Sequence, residues 1–158
     1  MVDLRKDFRK MNLERYPLKS EPNKKWFEFY SIGPKGAIRK VVKFDPVRKN
    51  MYNLAFGDWD NKSKSIDSKI RSNNHDVQKV LTTVATVVME FMEHYPDSIL
   101  FAQGDGPEKT RLYQMAINRH LGEISYRYII EGFRTYYRER FQPGRNYDLF
   151  ALTNLVKN

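Results

Sequence analysis

Cysteine is absent from this 158-residue chain, which removes disulfides and thiolate chemistry from consideration. No apolar run approaches the roughly 18–20 residues that a membrane-spanning helix needs. The first residues, MVDLRKD, lack the apolar stretch of a secretory leader. A bacterial-type cytoplasmic protein is the resulting expectation. Histidine is scarce, and His75, His94 and His120 do not fall at a metal-ligand spacing such as H-E-x-x-H. No metal and no cofactor is therefore expected. Internal repeats and low-complexity stretches are lacking as well.

What is present suits a folded chain. Apolar residues make up 41% and aromatics 14%, enough for one domain with a sizeable core. The net charge is +9, and it is uneven. Residues 1–50 hold 14 Lys/Arg against 6 Asp/Glu, residues 51–100 hold 5 against 7, and residues 101–158 hold 9 against 6. The two ends are basic and the middle is not. Such a surplus attracts phosphate polymers or an acidic protein partner; it also fits a merely soluble surface.

The strongest pattern spans 73–95. Val77, Val80, Leu81, Val84, Val87, Val88, Phe91, Met92 and Tyr95 recur at i, i+3, i+4, i+7, the spacing of one apolar helix face. Asn73 or Asn74 is placed to cap it and Asp76 to complement the dipole. Pro96 ends it by pushing Tyr95 out of the α region. Its β-branched residues lower helix propensity slightly, so burial against a sheet must reward the pattern.

Around that helix the chain reads in order. Residues 1–25 form a basic N-terminal arm, and 26–158 form a single domain. Residues 26–32 and 38–44 are strands joined by the Gly33-Pro34-Lys35-Gly36 turn. Residues 52–56 are a third strand, and 58–75 a long polar loop. After the helix, 98–102 is a short apolar strand. Pro107 suits the first turn of a second helix over 110–121, with Gly122 at its stop. Strands follow over 124–133, 135–141 and 147–156. The order β-β-β-α-β-α-β-β-β predicts an α+β fold, a twisted and mainly antiparallel sheet packed on two helices. Strand order and oligomeric state are not legible.

Two stretches invite a functional reading. Arg127, Tyr128, Arg134, Tyr136, Arg138, Arg140 and Arg145 interleave cations with rings, as a sheet that binds single-stranded nucleic acid requires. Trp26, Phe29 and Lys43 near the first hairpin add to them. The plainer reading is a core face alternating with a solvated, edge-protecting face. Lys109 and Arg111, beside the Gly104-Asp105-Gly106-Pro107 turn, are candidate anion ligands. The order of a phosphate-binding loop is missing there, and Pro107 removes one donor. Arg111 has a competing role as a structural ion pair with Asp58 or Asp105. A histidine with Asp58, Asp60 or Asp105 could build a small enzyme, but no spacing selects one.

Several blocks also occur together in order: YNLAFGD at 52–58, Ser72-Asn73-Asn74 with Asp76, VLTTV at 80–84, Tyr95-Pro96 and TRLY at 110–113. With the Gly33 hairpin and residues 144–148, they resemble a family of small bacterial domains of unknown function. The resemblance covers the chain from about Trp26 onward. It implies a compact α+β domain and transfers no activity and no catalytic residue. Two functional classes remain: a nucleic-acid-binding or regulatory protein, and a protein-interaction module, either homo-oligomeric or one half of a two-protein bacterial system. An enzyme is the third and least favoured.

Overall fold

The computed structural model describes residues 14–67 and 73–155. Among the described residues, nine strands and two helices follow one another as β1 (Lys19–Ser20), β2 (Trp26–Gly33), β3 (Gly36–Arg48), β4 (Met51–Asp60), β5 (Ser65–Asp67), α1 (Val77–His94), β6 (Ile99–Ala102), α2 (Pro107–Ile124), β7 (Tyr128–Arg134), β8 (Tyr137–Arg140) and β9 (Leu149–Asn154). The fold is α+β with a mainly antiparallel sheet, as the pattern predicts. Strand order, invisible in the sequence, is β1-β2-β3-β4-β6-β9-β7-β8, with β5 pairing β4. One pair is parallel: β4 with β6. Helix α1 makes the crossover that a parallel pair requires.

The sheet buries one face against both helices. Register carries Phe44, Leu54, Ala102, Phe150 and Gly132 across it in a single row. Val84, Val87, Phe91 and Met92 of α1 and Tyr113 and Ile124 of α2 complete the same core. Phe91 has no exposed surface. Its ring stacks on Phe44 at 3.9 Å between centroids and meets Tyr52 edge-on at 5.1 Å. The valine-lined face of α1 is therefore buried, which compensates its weak intrinsic propensity.

Boundaries differ from the sequence expectation where tertiary contacts intervene. Asn74 does not cap α1. Its side chain accepts from the Lys35 amide at 2.7 Å and donates to Gly36 O at 3.0 Å, which pins the first hairpin. The N-cap is Asp76, without a side-chain cap bond; its carboxylate instead accepts from Tyr16 Oη at 2.6 Å and Ser31 Oγ at 2.5 Å. Tyr16 is buried, and Lys19–Ser20 pairs with β2. Residues 14–25 are thus docked on the domain, and the rest of the expected arm, 1–13, lies outside the described residues.

The long loop expected at 58–75 is in part a hairpin. Strand β4 runs on to Asp60, whose carboxylate accepts from the Lys62 amide at 2.9 Å and Ser63 Oγ at 3.0 Å and turns the chain into β5. Helix α2 passes Gly122 and ends at Ile124, with non-helical angles at His120. Its buried side is Thr110, Tyr113, His120 and Ile124, while Met115 and Arg119 are exposed. The expected strand 124–133 therefore starts only at Tyr128. The expected strand 135–141 is shortened to 137–140 by a two-residue turn at 135–136.

His120 explains the irregularity in α2. Its ring is buried between Thr82 Oγ1 at 3.2 Å and Glu123 Oε2 at 3.0 Å. Burial is the largest influence and pushes the imidazole below its ordinary value of 6.5, while Glu123 pulls the other way. The unfolded chain then binds a proton more readily than the folded one, so stability rises with pH. The His120 contribution is fully present above pH 6.5 and is lost as pH falls from there through the lower, folded value. Urea unfolding at pH 7.5 and at pH 5.5 should show this loss, and His120→Gln should reduce it. An unchanged pH dependence in the variant would refute the assignment.

Candidate nucleic-acid interface and the charge cluster beside it

No helix among the described residues covers the second face of the sheet. Alternation fixes what that face displays. One row runs Asp45, Asn53, Phe101, Ala151, Glu131, Arg140 from β3 to β8. The neighbouring positions bring Trp26, Lys43 and Ala55 together at one side, and Leu149, Phe133 and Arg138 at the other. Beyond Trp26 lie Tyr30, Arg39, Trp59 and Ile66. Trp26 meets Trp59 edge-on at 5.4 Å, and the Arg39 guanidinium stacks over Trp59 at 5.3 Å. Acidic groups share the face. Arg39 pairs with Glu28 at 2.5 Å, Lys43 with Asp45 at 3.5 Å and Arg138 with Glu131 at 3.8 Å.

The residues expected to form one basic-aromatic strip are divided. Arg138 and Arg140 reach the open face. Arg134 does not, because it pairs with Tyr137 and so shares its side with Tyr137 and Glu139. A two-residue turn pairs residue i with i+3, so equal parity in sequence means opposite faces in space. Tyr136 stands in that turn, 95% exposed. Arg127 is exposed in the turn before β7. The Arg145 guanidinium donates to both carboxylate oxygens of Glu139 at 2.9 Å, and the Tyr147 hydroxyl donates to the same carboxylate at 2.7 Å. That hydroxyl and Arg145 hold Glu139 below the usual carboxylate range. Tyr147 packs its ring over Gly132, where an added Cβ would lie 2.4 Å from it, so Gly132 permits the close approach.

Two aromatic candidates are core residues. Tyr128 is buried on the helix side, where burial raises its pKa. Phe29 is also buried and stacks on Tyr16 and Phe56. Neither ring is presented to a ligand. In exchange the open face gains Trp59, Arg39, Phe101 and Phe133, which the sequence reading did not select. Trp59 was hidden because it follows a Gly-Asp pair that reads as a strand end.

The anion candidates also separate. Lys109 and Arg111 are two residues apart on a helix, which places them about 200° apart around its axis. Arg111 lines an open groove of about 610 Å³ with Gln103, Asn118, Asn146 and Asp148. Lys109 points toward the end of β4. There the Lys40 ammonium donates to Asp58 Oδ1 in a buried ion pair, with both side chains 9% exposed. Asp58, Asp105 and Asp67 act on Lys109 as anions and Lys40 as a cation. Arg111 lines that groove, while Lys109 lies in the field of Asp58. Three carboxylates around Lys109 also make it a poor ligand for a free anion. Gly57 makes the arrangement possible, since a Cβ there would lie 2.8 Å from Lys109 Nζ and 2.6 Å from Ile66 Cγ2.

Among the described residues, no three His, Cys, Asp or Glu side chains are grouped to hold a metal ion, and no helix is long and apolar enough to cross a membrane. A family model described as a family of unknown function, DUF6934, matches residues 12–155. The chain belongs to that family. DUF6934 carries no assigned activity, so the match settles membership and leaves function to the geometry. No curated protein and no solved structure matches this DUF6934 chain. The blocks around Asp58 and Thr110, far apart in sequence, meet at the Lys40–Asp58–Lys109 cluster.

Proposed function

We propose that this DUF6934 protein binds single-stranded nucleic acid across the open face of its sheet, in a regulatory role. The observation that carries the reading is the sheet face that no helix among the described residues covers, where Trp26, Tyr30, Trp59, Phe101 and Phe133 stand among Arg39, Lys43, Arg138 and Arg140. Rings on a sheet stack bases without sequence preference, and cations beside them track the phosphates. Fluorescence anisotropy with a short single-stranded oligonucleotide across a salt series tests it. Affinity should fall as salt rises, because binding releases condensed counterions. Trp59→Ala should weaken binding by about 1–3 kcal/mol if one base stacks there. Lys43→Ala should reduce the salt slope by about one. Absence of any salt-sensitive binding at low ionic strength would end the proposal.

The carboxylates of Glu28, Asp45 and Glu131 on that face favour a second reading, a protein partner or a second copy of the chain. A face of mixed sign selects a complementary protein surface better than a phosphate polymer. Mass measurement by light scattering, with and without residues 1–13, separates the two. A monomer that neither truncation nor concentration changes argues against self-association. The cut belongs before residue 14, because Tyr16 is core.

A further inference from the structure

Helices α1 and α2 do not fill all the space over the sheet. Between them and the core row at Leu54, Ala102 and Phe150 lies a cavity of about 80 Å³. Close-packed interiors hold few voids larger than a water molecule, and this one has room for several. Ala85 and Val88 of α1 and Ala116 and Ile117 of α2 line it and are only half-buried, so it opens to solvent between the two helices. Its lining is apolar apart from two phenols. Tyr128 donates its hydroxyl proton to Met89 O at 3.5 Å. Tyr113 is 5% exposed, and its hydroxyl has no hydrogen-bond partner among the described residues. Burial alone raises this phenol above its ordinary value of 10. A hydroxyl held out of water without a partner costs stability, which an incoming oxygen would restore.

We propose that this cavity is a binding site for a small uncharged molecule, a short alkyl chain bearing one oxygen, with the Tyr113 hydroxyl donating to that oxygen. Size sets the chain length. An apolar cavity of about 150 Å³ holds benzene, so roughly half that volume suits an alcohol or ketone of about three or four carbons. Charge sets the rest of the class. No charged side chain belongs to the lining, and a carboxylate or ammonium would lose its hydration there without a counter-ion. The apolar walls take the alkyl chain, and the single hydroxyl fixes which end of it enters first. So few atoms give an affinity on the order of millimolar. The cavity lies on the helix side of the sheet, opposite the open face, so nothing in this proposal depends on nucleic-acid binding.

The test uses the folded full chain, methyl-resolved NMR, butanone as the probe and xenon as an apolar control that cannot accept a hydrogen bond. Butanone should shift the methyl signals of Leu54, Val84, Val88 and Ile117 saturably, and xenon should shift the same signals. Butyrate, of similar size but charged at pH 7, should leave them in place. Tyr113→Phe keeps the cavity and removes the hydroxyl. It should bind butanone about fivefold more weakly, the worth of one hydrogen bond, and still bind xenon. Ala116→Leu, which extends a side chain into the opening, should weaken both. Xenon shifts without butanone shifts would mark a packing void and overturn the proposal. Equal butanone affinity in Tyr113→Phe and the unaltered chain would overturn it too, as would butyrate binding as tightly as butanone.

Discussion

Asp58→Ala should destabilise this protein by about 3–5 kcal/mol, the range for breaking a buried ion pair by removing one partner. The carboxylate serves two cations, Lys40 in direct contact and Lys109 through the field. Its removal takes away the carboxylate that the buried Lys40 ammonium contacts and one of the three that act on Lys109. Lys40→Met should be milder, because Lys109 remains to balance Asp58. That asymmetry distinguishes a charge cluster from an isolated pair. The double variant Lys40→Met/Asp58→Leu should recover part of the loss, since well-packed apolar residues replace buried pairs at little cost. Urea midpoints at constant m-value measure all three. An Asp58→Ala effect within about 0.5 kcal/mol, the range of an ordinary surface change, would show that the cluster is solvated and the picture of β4's end is wrong.

Phe91→Ala should cost about 3–5 kcal/mol. The ring is fully buried, stacks on Phe44 and borders Tyr52 and Tyr95. It joins α1 to β3 and β4, so the cavity left behind would be walled by rigid strands that cannot collapse into it. Tyr136→Ala, at a fully solvated turn, serves as the contrast and should stay within about 0.5 kcal/mol. If the two variants unfold at similar urea concentrations, α1 is not the element against which the sheet packs.

These two expectations come from different sources. Phe91 was legible as core from spacing alone, because a helix has one period and nothing downstream changes which side of it is apolar. The same holds for alternation within 38–44, where Val42 and Phe44 face inward and Arg39 and Lys43 outward. Asp58 was visible only as the end of a strand. Its partner Lys40 is 18 positions away and Lys109 is 51 positions away, and no local pattern links them. The interface residues failed for a related reason. Arg134 and Arg138 read as one strip until a turn of two residues reversed the parity between them.

By itself, the amino-acid order determined the α+β class, the apolar face of α1, the first hairpin and the basic balance of the ends. Each depends on periodicity, turn chemistry or charge, which act between neighbours. The folded structure alone decided the strand order, the parallel pairing of β4 with β6, the side on which each arginine stands and the meeting of Lys40, Asp58 and Lys109. Those are contacts between distant segments, fixed by strand register and by which surfaces must be buried together, and no short window of sequence contains both halves of such a contact.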